Sequence, residues 1–462
     1  MRKRIFSFLF IVLLTAQTAF AQSGGIKLPP YKKAKLKNGL TIILMEQHEV
    51  PLVSFSVLVK AGATADAAGK EGTAAMVAGL LRKGTKTRTG DQISNDLDFT
   101  GAQLGFGDGA DFTTGRAEFV KKDLAKGLDI FADCLLAPMF PADEFIKLQK
   151  QTLDGLKAAK DQAQGVIGEY YNAYLFGSAH PYGRNATEAS AAALTRDDVA
   201  KFYETYYTPS NTILSVVGDF ATAEMEKLLE AKFGAWPAKN APTVNVPDAA
   251  AFTGKKLLLI DKPDSTQTYY RIGNLGVART NKDRIQINVI NTLFGGRFTS
   301  MLNDALRVSS GLTYGANSFF DQRKARGSFA IATYTRNETT EKAIDLTLKI
   351  LDQLHAEGIS EKDLQSGKNY LKGQFPPTIE TNDQLAAQLA SFEFYGLDAS
   401  DLNDFAQTVD AMTLADAQRI IKTYFPKENL VFVLIGKASE IETAVKKYAP
   451  KLEKKAITDA GY

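Results

Sequence analysis

Histidine is scarce in this chain and cysteine scarcer, and the scarcity closes off several kinds of chemistry. The 462 residues hold three histidines, His48, His180 and His355, and one cysteine, Cys134. A catalytic zinc normally takes three protein ligands, often two histidines and a carboxylate. No two of these histidines are neighbours in sequence, so none forms an i, i+4 pair on one helix face. His180 reads as part of the turn Ala179-His180-Pro181-Tyr182-Gly183, and the other two as surface or boundary residues. A lone cysteine permits no intrachain disulfide, even in an oxidising compartment. Cys134 falls among Leu128, Ile130, Phe131 and Leu135 at helical spacing, which predicts a packed, inert thiol. There is no G-x-S-x-G nucleophile elbow and no P-loop. Gly105-x-Gly107-x-Gly109 follows a strand-like run without the helix that a dinucleotide site requires, and reads as a turn.

Excess charge is missing as well. Lysine and arginine number 55 against 52 acidic residues, a formal net charge of +3. Arg2, Lys3 and Arg4 precede an apolar run from Ile5 to Ala16 and an Ala19-Phe20-Ala21 cleavage pattern, so residues 1–21 read as a secretory signal peptide. The run is too short to span a bilayer comfortably, and Gln22 offers no thiol for a lipid anchor. Removing the three cations leaves a neutral mature chain, without the basic surface that nucleic acid or anionic membrane would attract. The expected setting is outside the cytoplasm, the periplasm if the source is Gram-negative, with no stable membrane anchor after cleavage.

The roughly 440 remaining residues exceed what one core usually serves. Residues 236–252 carry Pro237, Pro242 and Pro247 with little apolar periodicity, and read as a linker between domains 22–235 and 253–450. Residues 451–462 are set apart as a tail. The two domains look like repeats: Thr195/Thr413, Asp198/Asp416, Asn211/Asn429 and Gly218/Gly436 all recur at one spacing of 218. In each, a threonine fits a helix N-cap and an apolar strand follows the helix. Strands are expected at 40–45, 52–59, 256–260, 267–273, 312–319 and 327–334. Helices are expected at 72–82, 121–137, 143–160, 283–293, 299–306, 340–356 and 360–373. The fold class that follows is α+β. Two homologous layers, each an antiparallel or mixed sheet covered by helices on one face, would face each other across a gap.

Three segments carry a family resemblance. The first is Tyr31 to Gly62, most tellingly Leu36-Lys-Asn-Gly-Leu-Thr-Ile-Ile-Leu44, followed by Gly72 and Lys83-Gly84-Thr85. The second is Asp261-Lys262-Pro263 through Gly273. The third runs from Leu293-Phe294-Gly295-Gly296-Arg297-Phe298-Thr299-Ser300 to Leu306-Arg307-Val308-Ser309-Ser310-Gly311-Leu312-Thr313-Tyr314-Gly315. Together they resemble the M16 (insulinase/pitrilysin-like) zinc peptidases over nearly all of residues 31–450. Active members of that family carry H-x-x-E-H on a helix before a Lys-Gly-Thr turn, two zinc-binding histidines flanking a general base. Aligned on Gly72 and Lys83-Gly84-Thr85, the motif positions here are Ala75, Ala78 and Gly79, and the third ligand position is Gly155, with Asp154 beside it.

Alanine and glycine offer a metal no lone pair, so the resemblance implies a chain with no cofactor and no hydrolytic activity of its own. It also implies that Arg307 and Tyr314 match the arginine–tyrosine pair with which the family's second half binds substrate and stabilises the oxyanion. The alternative is an ordinary surface arginine and a half-buried strand tyrosine. Family members of this size commonly pair, which implies a catalytic partner carrying H-x-x-E-H and its zinc, with peptides binding by strand addition. A stand-alone peptide-binding or scaffold protein is the second expectation. An active zinc protease with an unfamiliar site is the third.

Overall fold

The computed structural model describes residues 27–462, so the export signal expected at 1–21 lies outside the described residues. Among the described residues no helix is long and apolar enough to cross a membrane. The first sheet is built from β1 (Lys32–Lys35), β2 (Thr41–Glu46), β3 (Leu52–Val59), β4 (Gln103–Asp108), β5 (Thr113–Val120) and β6 (Thr212–Gly218). The second takes β7 (Lys256–Asp261), β8 (Gln267–Leu275), β9 (Ala316–Asp321), β10 (Ser328–Arg336), β11 (Val431–Gly436) and β12 (Leu452–Ala456). Their orders, β1-β2-β6-β3-β5-β4 and β12-β7-β11-β8-β10-β9, correspond in the last five strands; the first differ, since β1 is antiparallel to β2 and β12, from the end of its half, is parallel to β7. In both, the pairs β2/β6 and β7/β11 are parallel and the next three pairings are antiparallel. The fold is α+β in two homologous halves.

Local chemistry repeats with the topology. Thr195 and Thr413 each close a capping box with the residue three further on, Asp198 and Asp416, and start the helices Arg196–Tyr206 and Leu414–Tyr424. The segment 451–462, expected as a tail, instead belongs to the second sheet. Residues 452–456 form β12, parallel to β7, and Tyr462 packs edge-on against Tyr170 at 5.2 Å. Residues 237–253 contain neither helix nor strand.

The central strands β6 and β11 are buried at every position, which requires cover on both faces of each sheet. One face is covered by helices of the same half. The other is covered by a helix from the opposite half. Helix Ala163–Phe176 lays Val166, Ile167, Tyr170 and Tyr171 on Leu258, Ile260, Val431 and Val433 of the second sheet. Helix Asn382–Tyr395 lays Leu385, Ala386 and Leu389 on Ile43, Met45, Leu58 and Ile213 of the first. The two helices begin 219 residues apart, within one residue of the repeat spacing, so equivalent elements are exchanged.

Polar contacts lock the exchange. The Tyr171 hydroxyl donates to Phe329 O at 2.7 Å, and a Cβ on Gly273 would collide with both of those groups. Buried Asp111 accepts from the Tyr182 hydroxyl and from Lys324 N of the other half, each at 2.8 Å. The expectation of layers covered on one face across a gap therefore changes: the space between the halves is filled by reciprocal packing.

The two halves should unfold together. Leu389→Ala removes a buried contact to the first sheet from a helix of the second half, at a cost of about 2–5 kcal/mol. Hydrogen exchange should then accelerate in β3 and β6 as much as in the mutated helix, with one thermal transition by calorimetry. Two separated transitions would contradict the reciprocal cover.

Candidate functional site

The helix Thr73–Leu80 carries the positions where the family resemblance places a metal. Its start is fixed by Gly72 at φ 100° and by Asp66, whose carboxylate accepts from Gly72 N at 2.8 Å and Ala74 N at 2.9 Å. Ala75 faces solvent, Ala78 is buried and Gly79 is partly covered. A Cβ on Gly79 would lie 2.8 Å from Leu148 Cδ2, so a leucine of helix Ala142–Ala159 takes the space beside it. Gly155 sits on the exposed side of that helix, and a Cβ there would meet nothing within 4 Å. Asp154 does not substitute for it, because its carboxylate pairs with Lys150 at 2.5 Å. These residues do not fit zinc: the four positions present methyl groups or hydrogens. Among the described residues no group of three or more His, Cys, Asp or Glu side chains could hold a metal ion.

The three histidines are occupied separately. His180 bridges Tyr182 N and Pro247 O through its two ring nitrogens, at 3.0 and 2.8 Å. His355 bonds Phe425 O at 2.7 Å, and exposed His48 lies between Asp219 and Glu46. Cys134 is buried, and that burial pushes its thiol up to about 12. Beside the Thr73–Leu80 helix a cavity of about 330 Å³ is lined by Ala78, Gly79, Arg82, Gly105, Phe106 and Glu144. Gly105 and Gly107, expected in a turn, lie in the edge strand β4, where a Cβ on either would meet nothing within 4 Å. Such glycines let another backbone approach closely.

A cleft of about 620 Å³ lies in the second half. Its floor is the part of the second sheet beyond the first turns of helix Ala163–Phe176, which ends the cover at Gln164 and Ile167. The walls come from two π-helical turns, Thr292–Gly296 and Asp304–Ser309, a geometry frequent at functional sites. Gly295 lets the first turn touch β9, since a Cβ there would collide with Ser318. The second turn carries Arg307 and ends at Gly311, φ 62°, whose N–H donates to Arg307 O at 3.1 Å.

Arg307 lines the cleft with its guanidinium 4.6 Å from the Phe298 ring centre. Tyr314, at the entry to β9, is 78% exposed and stands outside the cleft lining. Among the described residues neither side chain has a hydrogen-bond or ionic partner in the protein.

Two further arginines were not picked out as site residues from the sequence. Arg271, on β8, stacks 5.3 Å from Phe319 and enters the space left by Gly168 of helix Ala163–Phe176. Arg297 lies 5.8 Å from the Tyr370 ring and donates to Ser366 Oγ at 3.0 Å. The available signal for Arg271 was a lone cation at the centre of an otherwise largely buried strand. Strand addition does not suit the outer edge of β9, because Asn303 accepts from Ala316 N and Asn291 donates to Ser318 O. In the first sheet the corresponding edge strand is β4.

Residues 193–371, the end of the first half and the first part of the second, match the family described as "Peptidase M16 inactive domain". Residues 41–182 match "Insulinase (Peptidase family M16)". An uncharacterized zinc protease of Mycobacterium leprae is 25% identical over 410 residues, 86% of this chain and 89% of its own. The uncharacterized zinc protease YmxG of Bacillus subtilis is 22% identical over 400 residues, 86% and 96% of the respective chains. The fold is shared with a peptidase M16 inactive domain from Pseudomonas fluorescens, at 24% identity and TM-score 0.82 over 88% of this chain and 98% of that one. It is shared too with a protease from Helicobacter pylori, at 22% identity and TM-score 0.81 over 88% and 100%.

Asp66 makes the helix anchor sensitive to pH. Burial raises its pKa to about 7, against the pull of its two backbone N–H donors. A raised carboxyl pKa adds stability below the ordinary carboxylate range, and that stability is lost as pH rises through about 7. Relative to the non-ionising Asp66→Asn variant, the wild type should gain stability as pH falls from about 8 to about 5, by at most about 1.4 kcal/mol per pH unit. Urea midpoints of both proteins across that range check this, and a difference flat with pH would contradict it.

Proposed function

The chain belongs to the M16 family of peptidases, and we propose that within it this protein is an exported, non-catalytic subunit that binds substrate for a zinc-bearing partner. One observation carries the reading: the first half has no donor atom at the metal positions, while the second half keeps an unpaired arginine in an open cleft. Ala75, Ala78, Gly79 and Gly155 leave nothing to bind a metal or move a proton at that place. Arg307 has no ionic partner among the described residues, and Phe298, which lines its cleft, is 62% exposed.

The partner in this reading carries H-x-x-E-H and the zinc. This chain's own part is binding and charge stabilisation. Arg307 and Tyr314 both donate hydrogen bonds and none of their donors is taken internally, so they can hold a peptide carbonyl and the negative charge that develops on it. Phe298 beneath the guanidinium restricts where it points. The extended peptide would run beside a sheet edge such as β4, whose outer N–H and C=O groups can pair with an added strand.

That edge also favours a second reading, a stand-alone peptide-binding protein, since strand addition at β4 needs no partner.

Co-expression with an H-x-x-E-H homologue tests the proposal. Arg307→Ala should lower the turnover number of the complex by about 10²–10³-fold, the usual effect of losing a preorganised donor, and Tyr314→Phe should act in the same direction. Size-exclusion chromatography should show assembly intact. Unchanged kinetics in both variants would remove the Arg307–Tyr314 role, and failure to associate would leave the stand-alone reading.

A further inference from the structure

We propose that Arg271 and Arg297, in the cleft they share with Arg307, bind a carboxylate of the peptide, so that the chain selects acidic ligands. This rests on the reading that the chain binds peptide, and it adds what kind.

Three guanidinium groups from three separate elements line one cleft, and no aspartate or glutamate lines it with them. None of the three has a carboxylate within salt-bridge distance among the described residues. The nearest competitors are engaged or set back. Asp321 pairs with Arg323 at 2.6 Å, and Glu169 acts on Arg271 only at longer range. Each cation rests instead on an aromatic ring: Arg271 on Phe319, Arg297 on Tyr370 and Arg307 on Phe298.

A ring against one face of a guanidinium leaves its N–H edge for a carboxylate, which it can meet through two parallel hydrogen bonds. Among the described residues Arg271 donates to no group of the protein, and Arg297 commits only Nη1, to Ser366 Oγ. The Nε atoms of Arg271 and Arg297 are buried with no hydrogen-bond partner in the protein. Folding alone gives no reason to collect three unpaired cations. Gly168 is specifically suited to the role, since a Cβ there would press within 3.1 Å of the Arg271 guanidinium nitrogens. Between the cations, Tyr269 and Tyr334 stack at 5.2 Å and give the floor an apolar surface for the rest of the chain. A carboxylate can come from an acidic side chain or from a free C-terminus. The chemistry recognised is the same.

Fluorescence anisotropy on the whole exported chain tests this with four labelled decapeptides of one scaffold. The first carries internal glutamates and an amidated end, and the second carries glutamines and a free carboxylate. The third carries glutamines and an amidated end, and the fourth carries lysines and an amidated end. At least one of the first two should bind about tenfold or more tighter than the third, the lysine peptide weakest, and which one does identifies the source. The preference should shrink between about 50 and about 500 mM salt. Arg271→Gln with Arg297→Gln should abolish it, and Arg297→Lys alone should keep part of it, because the charge remains while the planar fork is lost.

Equal affinity for all four peptides, or no binding of any, overturns the proposal, and this comparison needs no protein variant. Acid preference without any gain in a partner's turnover leaves the cleft assignment standing and removes the subunit reading. Complementation of a partner without acid preference does the reverse.

Discussion

A six-stranded sheet with two apolar faces needs two covers, and each half of this chain supplies its own sheet with only one. The second cover is traded: Ala163–Phe176 crosses to the second sheet and Asn382–Tyr395 to the first. Burying four or more large apolar side chains on each side, at about 1.5–3 kcal/mol apiece, makes neither half self-sufficient. The exchange also decides where open surface remains. Cover over the second sheet ends at Gln164 and Ile167, and the arginine cleft begins where it ends. The packing leaves no open space between two freely hinged halves, and in the proposed reading a substrate chamber is completed by the partner.

The two halves have diverged in what they ask of their side chains. In the first, the helix Thr73–Leu80 keeps its cap on Asp66 and its packing against Leu148, so the scaffold persists where the donor atoms do not. In the second, the cleft holds two guanidinium Nε atoms, of Arg271 and Arg297, that are buried without a hydrogen-bond partner, at about 1–3 kcal/mol each. Exposed Phe298, Val308 and Tyr314 add apolar surface that water does not reward. Lost donors on one side and costly, unpartnered groups on the other are what a division of labour between chains would leave.

Much of this was legible in the residues. The spacing of 218 between Thr195 and Thr413 predicted the duplicated caps. The helix expected at 299–306 and the strand expected at 312–319 were close but misplaced at their ends: Arg307 lies on the π-helical turn Asp304–Ser309, and the strand begins only at Ala316, which leaves Tyr314 before it. The helix exchange was signalled and missed. Ile213 to Val217 and Val431 to Ile435 are apolar or small at every position, which demands cover on both faces, whereas one covered face was expected. The π-helical turns were not legible, because apolar spacing over five or six residues does not separate them from an ordinary helix. Gly105 and Gly107 were read as a turn because glycine signals punctuation locally, and an exposed edge strand has little alternation to oppose that. Residues 452–456 looked like a tail for the same reason: Glu453, Lys454 and Lys455 suit a solvated edge. Arg271 depended on which way β8 faces and on a glycine about a hundred residues earlier, a contact only the fold brings together.

The central claim is that this chain supplies binding and its partner supplies the metal. Native mass spectrometry of the co-purified complex, before and after dissociation into chains, reads that division directly. The account predicts one zinc per pair of chains, all of it leaving with the partner and none retained by this chain. One zinc on each copy of this chain, persisting after dialysis, would contradict it.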